Sequence, residues 1–589
     1  MKSLWFGPED RPLFGWLHVP EDGSARGGVV LCPTMGIEAV SAHLAFRLLA
    51  DRLAESGLVA LRFDYDGTGD SAGRHEDPER TAAWMASIRH AVQFMRGLGL
   101  GRLGVVGMRV GATLSAETFG SGPAVIDDLV LWDPCASGRA FLRGQSALWS
   151  VALGTKSHDD GAIETPGLVY DKETVADLSA VAIANQEGPL ADRVLLLMRS
   201  SRKGDRRMNE RLDMPNVLRL PIAGQEDLVD VLPHATIMPE ATIATIADWL
   251  ATVPAADPMV EIESDTVGRN LAVVGTTTDG VSIDERPVVL GRRNLFGIMT
   301  TRHDADQRLV TLSADEASRD ALGVPGALPT IFCFNAGEID HVGPARLWVT
   351  LARRWAEAGF RVIRFDLVGV GDSPMRVDQV PHVVYSPEAL DDILDVLHAA
   401  SPDDPSNAIL VGLCSGAYHA VEGAIAGHVR GLLVVNPILT FKPPEVSSKA
   451  PPELQSGTLD SRRQASGATK RWARALPAHD KLGPFVEGLP GPAWWIINRI
   501  AVESPPARTL SKVIDAGVNI FVIAGENETH LLKRGEGRTM RRLQRQPQFR
   551  MVMIPGLEHS LFEWHGRILA SELLTEHLLN EYGAAFPKG

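Results

Sequence analysis

Four cysteines in 589 residues, Cys32, Cys135, Cys333 and Cys414, are too few for a disulfide framework. None forms the C-x-x-C pair of a zinc site. No run of 18 apolar residues occurs, so no membrane-spanning segment is expected. Positive charge is short as well. Lys and Arg number 58 against 73 Asp and Glu, and the net charge of −15 argues against a general nucleic-acid binder. The N-terminal MKSLWFGPEDRPLFGWL has acidic residues where a signal peptide needs an apolar stretch, which makes the cytoplasm the expected location. The Gly-rich loops at 67–69 and 369–371 lack G-x-G-x-x-G spacing, and no cofactor or metal is expected.

What is present is a globular composition, 45% hydrophobic and 22% charged, in a chain long enough for more than one domain. The chain repeats itself. Apolar Gly28–Cys32 reads as a buried strand, followed by a helix over about 42–56 that stops at Gly57. LVALRFDYDGTGDS follows, then a helix over about 81–98, then RLGVVGMRVGA. The second half answers with PTIFCFNAG, RVIRFDLVGVGDS and AILVGLCSGA. The Leu-Phe-Gly pair is 282 residues apart, the Phe-Asp pair 302 and the Gly107–Gly412 pair 305, so the second copy carries insertions. Strands alternating with helices predict an α/β fold with two parallel sheets.

Gly412-Leu413-Cys414-Ser415-Gly416 ends an apolar strand and opens a helical stretch. This is the G-x-S-x-G nucleophile elbow with cysteine in the serine place. Its outer glycines leave room where a sharp turn admits no Cβ.

With the F-D-x-x-G-x-G-D-S loop about 40 residues before an elbow, each half resembles the α/β-hydrolase fold, over roughly 10–252 and 285–585. The expected organisation is a domain over 1–252, a linker over 253–284 and a domain over 285–589, with a cap inserted at about 440–512. The resemblance implies a triad in the order nucleophile, acid, histidine. After Cys414, GENE offers Glu528, with Glu526 as fallback, and PGLEHS offers His559. In the triad so implied, His559 takes the Cys414 proton and Glu528 steadies the imidazolium. A free thiol has a pKa of about 8.5, which a neighbouring His⁺ and a helix N-terminus both lower. The implied oxyanion donors are the N–H groups of Ser415 and, on the loop Asn335-Ala336-Gly337, Ala336.

The first half lacks this set. Arg109 stands at the nucleophile position and stays protonated, and Asp227 aligns with His559. A pseudo-hydrolase domain follows, in which Arg109 and Asp227 are expected to form an ion pair; His234 is read as structural.

A cysteine nucleophile suits thioesters and activated esters, and its acyl-enzyme stays reactive towards an alcohol, amine or thiol. The G-x-C-x-G box resembles that of polyhydroxyalkanoate synthases, and dienelactone hydrolases also use Cys. The expected function is an acyltransferase, or a releasing or cyclising thioesterase-like enzyme, in a biosynthetic pathway. A simple carboxylester or thioester hydrolase and a non-enzymatic acyl-binding scaffold stay open. The expected partner is an acyl (thio)ester substrate, with an acyl-carrier protein or coenzyme A thioester open as its source. Trp494 and Trp495, in the cap, are candidate acyl-pocket residues. Arg534, Arg538, Arg541, Arg542 and Arg545 share one helical face that reads either as a docking site for such a carrier or as a solvated surface. The first domain is open as a lid or as a homodimer surface.

Overall fold

The computed structural model describes residues 1–120, 125–153, 161–201, 204–231, 233, 236–252, 259–263, 266–303, 328–376, 385–386, 388–402, 404–439, 506–533 and 537–583. The chain divides into two compact units, Met1–Thr276 with Asp284–Pro287, and Thr277–Ile283 with Val288–Gly589. The fold is α/β, with mostly parallel sheets flanked by helices.

In the first unit the main strands are β1 (Lys2–Phe6), β2 (Leu13–His18), β3 (Gly28–Cys32), β4 (Val59–Phe63), β5 (Leu103–Met108), β6 (Asp128–Trp132), β7 (Arg193–Arg199) and β8 (Val217–Ile222). They lie in the order β1-β2-β4-β3-β5-β6-β7-β8. β1 and β2 pair antiparallel, as do β2 and β4, and the remaining neighbours are parallel. The second sheet includes β9 (Ser282–Leu290), β10 (Leu295–Arg302), β11 (Thr330–Cys333), β12 (Val362–Phe365), β13 (Ala408–Leu413), β14 (Gly431–Val435), β15 (Asn519–Ala524) and β16 (Phe549–Met553). Their order, β9-β10-β12-β11-β13-β14-β15-β16, is the first order again.

The central strands are apolar throughout because both faces are covered. Alternate residues point to opposite sides. In the second unit Leu410, Leu432, Val434 and Val522 face one core with helices Ala389–Ala400 and Ser415–Gly427. Ile409, Val411, Leu433 and Ile523 face another with helices Leu347–Glu357 and Trp564–Tyr582. In the first unit the helices expected at 42–56 and 81–98 run Ile37–Glu55 and Arg80–Gly97. The segment after the first unit's last helix pairs back onto that unit, Val260–Glu261 with Ser24–Ala25 and Arg269 with Trp5.

The two repeated motifs have one physical explanation. Ser373 Oγ donates to the Asp366 carbonyl at 2.6 Å and accepts the Phe296 N–H at 2.9 Å. Ser71 does the same with Asp64 and Phe14, at 2.7 and 2.9 Å. The serine of F-D-x-x-G-x-G-D-S thus fastens its loop to the phenylalanine of Leu-Phe-Gly. The first aspartate carboxylate of the motif accepts the N–H of the aspartate just before the closing serine, at 2.9 Å in the first unit (Asp64 from Asp70) and 3.0 Å in the second (Asp366 from Asp372). A Cβ on Gly371 would lie 2.3 Å from that carboxylate, which is why the position is glycine.

Candidate active site

The backbone of Cys414 has φ 54° and ψ −114° and stands at the cap of helix Ser415–Gly427. A non-glycine residue with positive φ is strained, and such strain persists only where the surroundings enforce it. Here the flanks enforce it. A Cβ on Gly412 would lie 2.3 Å from the Gly416 carbonyl oxygen, and one on Gly416 would lie 2.3 Å from the Asn335 carbonyl oxygen. Only glycine lets strand, helix and neighbouring loop meet this closely. Cys414 is half-buried, whereas Cys32, Cys135 and Cys333 are buried. Burial pushes the Cys32 and Cys333 thiols up to about 12.

His559 and Glu528 come to the same place from two later strands. His559 Nε2 lies 3.1 Å from Cys414 Sγ, and His559 Nδ1 lies 2.9 Å from Glu528 Oε1. Glu528 is buried on the short helix Glu526–Lys533 after β15, while Glu526 is exposed. The helix carries Glu528, the last residue of GENE, inward and leaves Glu526 facing out. Burial works against a charged imidazole, but the contacts with Cys414 and Glu528 outweigh it and push His559 up to about 10. Burial also raises the Glu528 carboxyl, yet its bond to His559 leaves it below its ordinary value. Charge on the histidine and on the acid is therefore mutually supported.

Asn436 was not visible as a site residue in the sequence. It follows β14, is fully buried and has φ 45°. Its side-chain amide donates to the carbonyl oxygens of Glu558 at 3.1 Å and His559 at 2.9 Å, and its Oδ1 accepts the Gly525 N–H at 2.9 Å. One amide thus ties the loop carrying the acid to the loop carrying the histidine. The signal that could have found it is the Asn-Pro pair after LLVV, which answers Asp-Pro after LVLW in the first half.

The loop expected to hold the second oxyanion donor lies against the elbow. Gly337 N–H donates to Ser415 Oγ at 2.8 Å, and Ala336 forms an isolated antiparallel bridge with Ile339. Asn335 anchors this loop, donating to Asp366 at 2.9 Å and accepting the Leu367 N–H at 2.7 Å. Ser415 opens its helix, where the N–H has no intrahelical acceptor. Trp494, Trp495, His234 and Arg534 lie outside the described residues, as does most of the expected cap. Residues 506–512 of that cap belong to helix Pro506–Asp515, which packs into the core through Leu510 and Val513. Arg538, Arg541, Arg542 and Arg545 are exposed, while Met540 and Leu543 hold their helix, Gly537–Leu543, to the core.

At the first unit's elbow Arg109 has φ 53° and ψ −117° and is buried. Its expected partner is corrected: Asp227 is exposed on helix Glu226–Val229 and makes no ion pair with Arg109. The guanidinium sits between Glu38, at 3.3 Å, and Asp133, at 3.3 Å. Sequence alignment put Asp227 at the histidine position, but the turn of helix there carries it to solvent. Glu38 also accepts from Thr34 at 2.8 Å and from Gln145 at 2.9 Å, and Asp133 accepts from Arg199 at 2.7 Å. Burial opposes the Arg109 charge, and Cys135, Glu38 and Asp133 overcome it, so its pKa stands above the ordinary value. Asp133 occupies the strand-end position that Asn436 holds in the second unit, for its N–H donates to Leu197 as Asn436 N–H does to Ile523.

Residues 324–567 match the model of the alpha/beta hydrolase family. No curated protein matches the chain. Among solved structures the chain is similar to a proline iminopeptidase of Mycobacterium smegmatis, 17% identical, over 42% of this chain and 97% of that one, with a TM-score of 0.31. It is similar to Est1E from Butyrivibrio proteoclasticus, 13% identical, over 42% and 98% of the two chains, with a TM-score of 0.34. It is also similar to a monoacylglycerol lipase of Paleococcus ferrophilus, 20% identical, over 41% and 98%, with a TM-score of 0.29.

Proposed function

We propose that the second unit is an acyl-transfer enzyme working through a thioester on Cys414, and that the first unit is a non-catalytic copy of the same fold. The observation that carries this reading is the contact chain Cys414 Sγ to His559 Nε2 at 3.1 Å and His559 Nδ1 to Glu528 Oε1 at 2.9 Å. In the first step Sγ attacks the carbonyl carbon of a (thio)ester and a C–S bond forms. The oxygen takes the negative charge and is held by the Ser415 N–H, with Ala336 as the second donor. The bond to the leaving group breaks as His559 gives it the Nε2 proton. In the second step neutral His559 takes a proton from the acceptor, which attacks the thioester carbonyl and releases Sγ. Glu528 holds the imidazole tautomer in both steps. Trp494 and Trp495 are proposed to line the acyl pocket, and the substrate is proposed to arrive as a carrier-bound or coenzyme A thioester. The duplication is supported by the shared strand order and the shared loop staple.

The match to a hydrolase family favours a second reading, in which water is the acceptor and the enzyme is a carboxylester or thioester hydrolase. Intact-protein mass spectrometry after incubation with a panel of acyl thioesters tests the first step. One acyl mass on the wild type and none on Cys414→Ala is the expected result. Failure of every thioester, together with no Cys414-dependent labelling by an alkylating probe at neutral pH, would replace the enzyme reading with a binding scaffold. Product analysis with added alcohol and amine then separates transfer from hydrolysis.

A further inference from the structure

Glu338 has no part in the chemistry above, yet it stands beside it. It follows Gly337 in the turn closed by the Ile339 N–H on the Ala336 carbonyl, at 3.2 Å. Gly337 is bonded to Ser415, the neighbour of Cys414. Consecutive Cα atoms are about 3.8 Å apart, so Glu338 begins within two such steps of the amide assigned to the substrate carbonyl.

The Glu338 Oε2 atom is shielded from solvent and has no hydrogen-bond partner among the described residues. Other carboxylates of the two sites are well supplied: Glu528 by His559, Asp366 by Asn335 and His341, Glu38 by Thr34, Gln145 and Arg109. Burial pushes Glu338 up to about 8. Buried polar groups in folded proteins are almost always hydrogen-bonded, and an exception calls for a cause. The fold does not supply that cause. The corresponding loop of the first unit has Ile37 after Gly36, and the Ile37 side chain is buried. An apolar residue therefore serves the architecture at this position, and the carboxyl serves something else.

We propose that Glu338 is a substrate-recognition residue, which takes a protonated amine carried on the first or second carbon from the reacting carbonyl. This rests on the reading of Cys414 as the acylated residue. An ammonium group brings both the donor and the opposite charge that the carboxyl lacks, and Glu338 stands two residues from Ala336 on the same loop.

The test uses pairs of thioesters of equal shape, 3-aminopropanoyl with butanoyl and glycyl with propanoyl. Acylation rates of the full chain are read by intact mass. The expected result is at least a tenfold preference for the amine-bearing member in the wild type, falling towards one in Glu338→Gln and in Glu338→Leu. No preference in the wild type, or a preference that both variants retain, overturns the proposal. A second arm measures binding of the same thioesters to Cys414→Ala by calorimetry, with and without Glu338→Gln. If no thioester acylates the wild type, the reading of Cys414 fails but this arm still decides for Glu338. Tighter binding of the amine-bearing member, erased by Glu338→Gln, supports the subsite, and equal binding overturns it.

Discussion

Arg109 and Cys414 hold the same backbone conformation, φ 53°, ψ −117° and φ 54°, ψ −114°. The strained elbow is thus kept in a unit where its side chain cannot attack a carbonyl. What maintains it in the first unit is the close approach of backbones around Gly107 and Gly111: a Cβ on Gly111 would lie 2.3 Å from the Pro33 carbonyl oxygen. The guanidinium that stands where Cys414 stands in the second unit is locked by two acids on separate elements.

That lock predicts a large stability effect. Arg109→Ala leaves Glu38 and Asp133 buried beside a lost cation. Removing one partner of a buried charge network costs about 3–5 kcal/mol. Urea denaturation should show a loss of that order in Arg109→Ala, and an effect below 1 kcal/mol would mean that the acids shed their charge without penalty.

Asn436 should act on the chemistry through positioning. Asn436→Ala removes two donated bonds and leaves the Gly525 N–H without its acceptor. With net worth of about 1 kcal/mol per bond and more for an orphaned group, the expected loss of stability is about 2–4 kcal/mol. Acylation of Cys414 should slow by about tenfold or more, because His559 and Glu528 lose their common tie. Asn436→Asp keeps the acceptor and should retain the Gly525 bond. Its acylation rate should lie between those of the wild type and the alanine variant.

The pH dependence follows from the histidine and acid together. Glu528 lies below its ordinary value of 4.5, so its contribution is present above that value and is lost as pH falls through the folded pKa. His559 is raised from 6.5 to about 10, so its contribution is complete below 6.5 and is lost as pH rises towards about 10. The stability difference between wild type and Glu528→Gln should therefore be greatest between pH 4.5 and 6.5 and shrink on both sides. Denaturation midpoints measured from pH 4 to 10 check this, and a difference that is flat with pH would show that the pair is not charged in the fold.

Much of this arrangement was legible in the chain. Cys414 could be found because the elbow is a local device of five residues, and His559 and Glu528 because each follows an apolar strand at its expected place. The Arg109 partners could not be read this way. Glu38 and Asp133 are 71 and 24 residues away from it, and nothing in their local sequence marks them as facing an arginine. Asp227 was misplaced for the opposite reason: aligned letters gave it a role, and a single turn of helix turned it outward. Asn436 and Glu338 depend on side-chain surroundings made by several distant segments, which no spacing rule encodes.

The staple that joins Ser71 to Phe14 and Ser373 to Phe296 is the same in the unit with a Cys-His-Glu set and in the unit with a lattice of ions. Its letters, F-D-x-x-G-x-G-D-S, are therefore an address for the fold and carry no news of activity. A search of genomes by that string would gather copies with cysteine and with arginine at the elbow alike. The residue at the top of the elbow, one position in each copy, is what sorts them.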